Sequence, residues 1–386
     1  MSNKSFKRLE DWPIFRSLPL SVRMRLHSSR WLAGTALFVL LLFALSSRWK
    51  REVEPLPPYN GPHVAMNAAG EYGFLPLNIA KEFCERRRWE PYAARDQRRK
   101  VYDMFLINTE LDWLEIRLNE LDSEVDYFII LEAAITFQGG EKPLHLQDSF
   151  GQPRFEKFRS KIIHQIVDFS IAKKIDYGDT WELERFTRNA LFNQAMLSLV
   201  GPEAPSQGDV LLVGDIDELP RTNTLVALRN CAFPPRVTLR SHFYYYSFQW
   251  LHRGDQWMHP QATYYNGPKD TISPEELRFS FKKGKANVDL YCAAWHCSSC
   301  FPTMEDLKNK ITSFSHKGYN QPYFLETDRL LQNVRMGRDM FERERDVFDR
   351  VDDNPDVPAF LLRNESRAKY AYLLDRDPSN ANFQDL

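Results

Sequence analysis

The spacing of apolar residues changes from residue 101 onward. Val101–Ile107 and Val125–Leu131 are short apolar runs rich in β-branched and aromatic residues, which is typical of buried strands. Between them, the leucines at 111, 114, 118 and 121 recur at helical spacing. A strand, a helix and a second strand in this order predict a βαβ unit, whose strands pair in parallel through a right-handed crossover.

The same alternation continues towards the middle of the chain. We expect a strand at Lys161–Val167, a helix at Trp181–Val200 with Thr180 as its N-cap, and a buried strand at Asp209–Val213. The pattern predicts an α/β fold built on a sheet. Ligands of such sheets bind at the carboxyl ends of the strands.

One long apolar run lies near the N-terminus. Trp31–Ser47 contains seventeen residues without a charge, the lower limit for a helix that spans a membrane. A cleaved signal peptide is the alternative, but thirty residues precede the run, which favours an uncleaved anchor. Seven Lys and Arg residues precede the run and only three follow it closely, so the positive-inside rule predicts a cytosolic N-terminus. The predicted organisation is a cytosolic tail (1–30), a transmembrane anchor (31–47), a stem or linker (48–98), a lumenal folded domain (99–378) and a C-terminal tail (379–386).

Composition narrows the class of partner. The chain has 51 Lys and Arg residues against 52 Asp and Glu residues, so no overall basic field favours nucleic acid. Hydrophobic residues make up 43% of the chain and aromatic residues 13%, as expected of a folded protein. We therefore expect no nucleic-acid partner.

The chemically sharpest feature is a pair of aspartates at the end of a predicted strand. In extended backbone, Asp215 and Asp217 point to the same side and can face one point. Two carboxylates suit a hard divalent cation such as Mn²⁺ or Mg²⁺, which commonly shares its ligands with a substrate diphosphate. The alternatives are a solvated acidic turn and a phosphatase of the haloacid type. Leu219 departs from the haloacid pattern, which normally has Thr or Val at that position.

Other polar residues are placed to hold a nucleotide. Arg185 and Arg188 lie on the polar face of the predicted helix, where guanidinium groups suit phosphate, although an ordinary solvated face explains them as well. Asn108 and Glu132 follow two predicted strands and could bind a base or a ribose. We interpret these four residues, with Asp215, as the candidate nucleotide-binding set.

The cysteines and one histidine allow two interpretations. His296, Cys297 and Cys300 lie within five positions and could bind zinc, but no fourth ligand has suitable spacing. Disulfides are favoured in a lumenal protein, and with five cysteines one thiol stays unpaired; the connectivity is left open. His296 is either a third ligand of the metal at Asp215 and Asp217 or a core histidine beside Trp295.

Taken together, several motifs resemble glycosyltransferase family 17, the family of the bisecting N-acetylglucosaminyltransferase. They are DWLEIRLNEL (112–121), LEAAITFQGGEKPL (131–144), GDIDELP (214–220), AAWHCSSCF (293–301) and PAFLLRNESRAKYAYLLD (358–375).

The resemblance implies a GT-A-like, nucleotide-sugar-binding sheet domain in a single-pass type II Golgi membrane protein. It implies inverting transfer of N-acetylglucosamine from UDP-GlcNAc to a glycan or glycoprotein acceptor, such as the mannose core of N-glycans. Asp217 is then expected to assist catalysis through the metal, Glu305 to act as the base, and Glu218 to support the metal pair. Residues 250–292 match poorly, so a transferase with another donor, or a catalytically silent glycan-binding protein, stays an alternative.

Overall fold

The computed structural model describes residues 69–172, 175–176, 178–279 and 287–386. These residues form a mixed β-sheet with helices on both faces, which confirms the α/β part of the predicted fold. A separate two-stranded sheet joins β1 to β7. The strands are β1 (Glu90–Pro91), β2 (Val101–Ile107), β3 (Tyr127–Glu132), β4 (Ile162–Ile166), β5 (Val210–Asp215), β6 (Glu218–Pro220), β7 (Cys231–Ala232), β8 (Arg236–Tyr245), β9 (Ser247–His252), β10 (Gln261–Tyr264), β11 (Asn287–Ser298) and β12 (Phe348–Arg350).

The helices vary from one turn to three turns in length. The α-helices are α1 (Leu77–Glu85), α2 (Leu111–Leu121), α3 (His145–Ser149), α4 (Pro153–Glu156), α5 (Thr180–Ala190), α6 (Thr222–Asn230), α7 (Gly267–Asp270), α8 (Pro274–Phe279), α9 (Met304–Ser313), α10 (Thr327–Met336), α11 (Asn364–Lys369) and α12 (Ala371–Leu374).

The strand order creates a crevice at the carboxyl end of the sheet. The main sheet runs β12-β9-β8-β10-β5-β2-β3-β4, with β11 paired to β8 and to β6. Strands β5, β2, β3 and β4 are parallel, so the predicted βαβ unit is confirmed. The chain proceeds outward from β2 to β3 and β4 and then returns to β5 on the other side of β2. Such a reversal opens a binding crevice between the ends of the two strands.

Both faces of the parallel sheet are buried. Along β2, Val101 and Phe105 pack into the core on the α2 side, whereas Tyr102 and Met104 pack into a second core on the opposite face. This alternation follows from the two-residue period of a strand. Burial on both faces explains why the parallel strands read as nearly continuous apolar runs.

The predicted transmembrane helix needs correction. Across the part of the chain that the structure describes, no helix is both long enough and apolar enough to cross a membrane. Trp31–Ser47, on which the prediction rested, lies outside the described residues. The described residues therefore show a mixed α/β sheet fold, and the membrane helix predicted from the apolar run has no support in them.

The helix predicted at Trp181–Val200 begins and ends differently. Asp179, rather than Thr180, is the N-cap, because its carboxylate accepts hydrogen bonds from the backbone N–H groups of Trp181 and Glu182 at 2.9 and 3.3 Å. The α-helix ends at Ala190, and a π-helical turn (Leu191–Ala195) and a 3₁₀ turn follow. Half of the predicted length is thus α-helical.

The last part of the predicted stem is folded against the sheet. α1 is joined to the end of α6 by the Cys84–Cys231 disulfide, and β1 pairs with β7. Arg99 is buried and donates hydrogen bonds to backbone carbonyls of Gly208, Leu228 and Cys231. Residues 77–99 therefore belong structurally to the folded domain.

Candidate functional site

The aspartate pair lies on a tight turn between two strands. β5 ends at Asp215, Ile216 and Asp217 form the turn, and β6 begins at Glu218. Gly214 precedes the turn, and a Cβ there would lie 2.8 Å from Cβ of Pro260. The absence of a side chain at Gly214 thus lets the strand pass close to Pro260.

A buried arginine holds this turn. The Arg117 guanidinium binds the Asp103 carboxylate through Nε and Nη2, each at 2.7 Å, and both side chains are fully buried. Its Nη1 donates to the backbone carbonyls of Asp215, Ile216 and Glu218 at 2.8–3.1 Å. Helix α2 and strand β2 therefore fix the position of the turn after β5.

Asp215 is held by two guanidinium groups. Arg188 Nη1 donates to its Oδ1 at 2.9 Å, and Arg278 Nη2 donates to its Oδ2 at 2.6 Å. Burial alone would raise the pKa of Asp215, but Arg188 and Arg278 outweigh burial and lower this pKa. Asp215 is therefore ionised, and both of its oxygens already have cationic partners.

Glu218 is fully buried and fully hydrogen-bonded. Its two oxygens accept from Arg278 at 2.8 Å each, and also from Trp257 Nε1 and the backbone N–H of Asp215, both at 2.8 Å. Burial opposes ionisation, but Arg278 holds the pKa of Glu218 well below its usual value. Glu218 therefore supports the turn, and its expected role beside a metal pair stays a prediction.

Asp217 points to a different set of partners. Its Oδ2 lies 3.4 Å from Lys310 Nζ, and its Oδ1 lies 3.7 Å from Nδ1 of His296. The His296 ring stacks against Phe243 and Trp257, with each ring centroid 5.0 Å away, and these two rings also contact each other, with centroids 5.5 Å apart. His296 Nδ1 is buried and has no hydrogen-bond partner. The stacking fixes this ring beside Asp217.

The expected three-ligand metal site is not assembled. Among the described residues, no group of three or more His, Cys, Asp or Glu side chains is arranged to hold a metal ion. The prediction assumed an extended backbone, but the chain turns after Asp215, so Asp215 faces Arg188 and Arg278 while Asp217 faces His296. The donor set that remains for a metal is Asp217 with His296.

Two members of the candidate nucleotide-binding set, Glu132 and Arg185, have their contacts away from the aspartate turn. Glu132 is fully buried, and its oxygens accept hydrogen bonds from the backbone N–H groups of Leu146 and Gln147 at the start of α3. The side chain of Arg185 is 54% exposed, and its Nε lies 3.7 Å from Glu275. Glu132 therefore stabilises a helix end, whereas Arg188 alone of the two helix arginines contacts the aspartate turn.

Asn108 and Glu305 also lack a contact to the aspartates in the described residues. The Asn108 backbone N–H donates to Glu110 Oε2 at 2.9 Å, at the carboxyl end of β2. Glu305 is exposed in the first turn of α9, where its N–H binds Asp385. Lys310 follows five positions later on the same helix, so Lys310 and Glu305 project in different directions.

Sequence reasoning missed several residues of this cluster. Arg117 lies within an apolar helical repeat and gave no separate signal. Arg278 follows β10 in a segment without a motif, and Lys310 follows the WHCSSCF segment. Glu110 lies at the end of β2, and its pKa is raised by burial, with Lys310 opposing and Asp217 adding to this effect. Only Glu110 carried a usable signal, because it lies three positions after Ile107, where β2 ends.

The cysteines form disulfides, as predicted. Cys84 is bonded to Cys231 and Cys297 to Cys300, and Cys292 is the free thiol. The zinc interpretation of Cys297 and Cys300 is therefore wrong, because their sulfurs are bonded to each other.

The model of glycosyltransferase family 17 matches residues 35–377 of this chain. The chain is similar to the β-1,4-mannosyl-glycoprotein 4-β-N-acetylglucosaminyltransferase of Homo sapiens, with 24% identity over 354 residues, covering 83% of this chain and 61% of the relative. The enzyme of that name from Rattus norvegicus is 23% identical over 349 residues, covering 82% and 60%. The chain thus spans about three fifths of the length of these curated relatives.

The first prediction concerns the ion pairs around the turn. Arg278→Met leaves the buried Glu218 carboxylate without its main cation, and we expect a loss of about 3–5 kcal/mol in the free energy of unfolding at pH 7. The Glu218 pKa is depressed in the folded protein, so its contribution is present above the unfolded pKa and is lost as pH falls through the lower folded value. The variant should therefore lose less stability than the parent on acidification below about pH 4.

Urea unfolding at several pH values measures both effects. Arg185→Met is the matched control, since that side chain is largely exposed, and it should change stability by at most about 0.5 kcal/mol. Equal stability of the Arg278 and Arg185 variants would show that the ion pairs do not hold the turn.

Proposed function

Because the chain belongs to glycosyltransferase family 17, we propose that it transfers a sugar from a nucleotide donor to a glycan acceptor. The observation that carries the proposal is the position of Asp217, His296 and Lys310 together at the carboxyl end of β5, the usual ligand-binding edge of such a sheet. The names of the relatives favour N-acetylglucosamine as the sugar and a β-mannosyl glycoprotein as the acceptor. We therefore propose UDP-GlcNAc as the donor.

The cationic residues around the turn suit a diphosphate. Lys310 is partly exposed and borders Asp217, so it can donate to a phosphate oxygen. Arg188 and Arg278 are buried behind Asp215, where Asp215, Glu184 and Glu218 balance their charges. Lys310 is therefore the cation that an incoming phosphate can contact directly. Fixed positive charge at this edge stabilises the negative charge that develops on the departing diphosphate.

Asp217 and His296 fit a divalent cation, whereas Asp215 does not. The His296 Nδ1 atom is buried without a hydrogen-bond partner and lies beside Asp217 Oδ1, as expected of two groups that share a ligand. Mg²⁺ and Mn²⁺ sites commonly use one or two protein ligands and complete their coordination with substrate phosphates and water. A cation held there would supply positive charge to the diphosphate.

Inverting transfer also needs a carboxylate that takes the proton of the acceptor hydroxyl. The resemblance suggested Glu305, which is exposed at the start of α9. Glu110 is a second candidate, because it lies at the end of β2 within the electrostatic field of Asp217 and Lys310. Burial raises the pKa of Glu110, and a raised pKa makes a carboxylate a stronger base.

The second prediction separates the two aspartates. Asp217→Ala should abolish Mn²⁺ binding in the presence of UDP and lower transfer at least about 10²-fold, because a group that positions the diphosphate is lost. Asp215→Asn should retain Mn²⁺ binding, since both oxygens of Asp215 contact arginines. Calorimetric Mn²⁺ titration and the transfer rate from UDP-GlcNAc to a mannose-terminated glycan provide the measurements.

The exposed Asp255 supplies a control, and Asp255→Ala should match the parent in both assays. A chelator should stop transfer by the parent, and Mn²⁺ should restore it. Unchanged transfer by folded Asp217→Ala, or loss of Mn²⁺ binding only in Asp215→Asn, would contradict this assignment.

The third prediction identifies the base. If Glu110 takes the proton, Glu110→Gln should lower kcat about 10²-fold or more with little change in the donor KM, and Glu305→Gln should stay close to the parent. In the parent, the rate should fall at acidic pH as the Glu110 carboxylate is protonated. In Glu110→Gln this fall should disappear. The reverse pattern would assign the base to Glu305.

We also propose that the chain works in the lumen of the secretory pathway, in the Golgi, and the fourth prediction tests the compartment. The Cys84–Cys231 and Cys297–Cys300 disulfides support this proposal, because structural disulfides persist in oxidising compartments. Rapid alkylation of cells followed by mass analysis should find no cysteine other than Cys292 alkylated. Alkylation of all five cysteines would argue against an oxidising compartment.

A further inference from the structure

A thiol, an imidazole and a carboxylate are joined in a row away from the aspartate turn. Cys292 Sγ lies 3.2 Å from His242 Nε2, and His242 Nδ1 lies 2.5 Å from Asp356 Oδ2. Gln256 completes the thiol's surroundings, because its Nε2 donates to Cys292 Sγ at 3.1 Å. A row of Cys, His and Asp in this order is the arrangement that activates a sulfur nucleophile.

The backbone at Cys292 is adapted to this contact. Cys292 has a positive φ of 52°, in the left-handed region that few residues other than glycine adopt. The register between β11 and β8 shifts between Leu290 and Ala294, so Cys292 lies in a bulge. Gln256 Oε1 accepts the Cys292 backbone N–H at 2.8 Å and stabilises this geometry. Bulges and strained backbone of this kind redirect side chains at functional sites.

The charged groups around the thiol favour its ionised form. Asp356 is anchored by Arg221 at 2.6 Å and also accepts from Trp295 and Tyr244 at 3.0 Å each. Burial lowers the pKa of His242, but Asp356 and Cys292 outweigh burial and raise it to about 9. Burial likewise opposes ionisation of Cys292, yet hydrogen bonds from His242 and Gln256 lower the pKa of the thiol. Both pKa shifts favour the thiolate–imidazolium pair over the uncharged pair.

The Cys292 thiol has no disulfide partner within the chain. The other four cysteines are paired in the two disulfides. The second sulfur atom of any disulfide at Cys292 must therefore come from another molecule. Cys292 is partly exposed, and the side chain of His242 is 29% exposed. Partial exposure admits a small molecule more readily than the surface of a second folded chain.

We propose that Cys292, His242 and Asp356 form a thiol-exchange site that takes low-molecular-weight disulfides of the glutathione class. The Cys292 thiolate attacks one sulfur of the small disulfide, and a new S–S bond forms with that half. The S–S bond of the small disulfide breaks, and its electron pair leaves with the other sulfur as a thiolate, which takes the proton from His242 Nε2. The exchange needs no further oxidant. This site does not depend on sugar transfer.

The fifth prediction tests the ion pair with the whole protein. Alkylation by iodoacetamide, followed by intact mass, should modify one cysteine with a midpoint below the pKa of about 8.5 of an ordinary thiol. His242→Gln should raise this midpoint and slow alkylation at pH 6.5 at least about tenfold, the change in thiolate fraction for one pKa unit. His252→Gln, on the neighbouring strand β9, is the control and should leave the profile unchanged. A profile in His242→Gln identical to that of the parent would overturn the proposal.

Oxidised glutathione then tests the exchange itself. The parent should gain one glutathionyl group that a reductant removes, Cys292→Ser should gain none, and His242→Gln should react at least about tenfold more slowly at pH 6.5. We use His242 rather than Asp356 because Asp356 also holds Arg221 and Trp295, so its replacement can disturb folding. Absence of the adduct in the folded parent would overturn the proposal. Disulfide-linked dimers in place of the adduct would also overturn it and identify a second copy as the partner.

Discussion

The geometry of the site depends on the buried ion pair between Arg117 and Asp103. Removing both charges from water is costly, and a buried pair repays that cost only when its remaining donors are satisfied. Arg117 meets this condition, because its Nη1 binds three carbonyls of the turn after β5. The pair thus fixes α2, β2 and the aspartate turn to one another. Every other contact of the site is built on the position of this turn.

The turn also gives its carboxylates different roles. Asp215 points back towards Arg188 and Arg278, so its charge is matched within the protein. Asp217 points forward to Lys310, which is 27% exposed, and to a histidine nitrogen without a partner. The Asp215 side chain is 38% exposed and that of Asp217 is 12% exposed, so the two carboxylates differ in their partners and not in greater access to Asp217. A single turn of two residues thus gives two chemically equal aspartates different partners: two guanidinium groups for Asp215, and a lysine and a histidine for Asp217.

The sequence predicted the local elements of this site better than its long-range partners. The βαβ unit and the buried strand that leads to Asp215 both follow from periodicity within one segment. Arg278 could not be foreseen in this way, because its role depends on packing of α8 beside β5, 63 positions from Asp215. The predicted membrane helix rested on apolar length alone, and no helix of the described residues supports it. Periodicity identifies elements, whereas the choice of a charged partner is made by the tertiary fold.

The pairing of β8 with β11 places two chemistries on opposite faces of the same two strands. Neighbouring residues of a strand point to opposite faces, so His296 and Phe243 lie on the Asp217 side, whereas Trp295 and His242 lie on the other. Trp295 and His242 both contact Asp356, which orients the Cys292 site. One rigid strand pair thus holds the imidazole of each site in position. The two faces share backbone but no side chain. A change of charge at Cys292 therefore leaves the side chains on the Asp217 side in place.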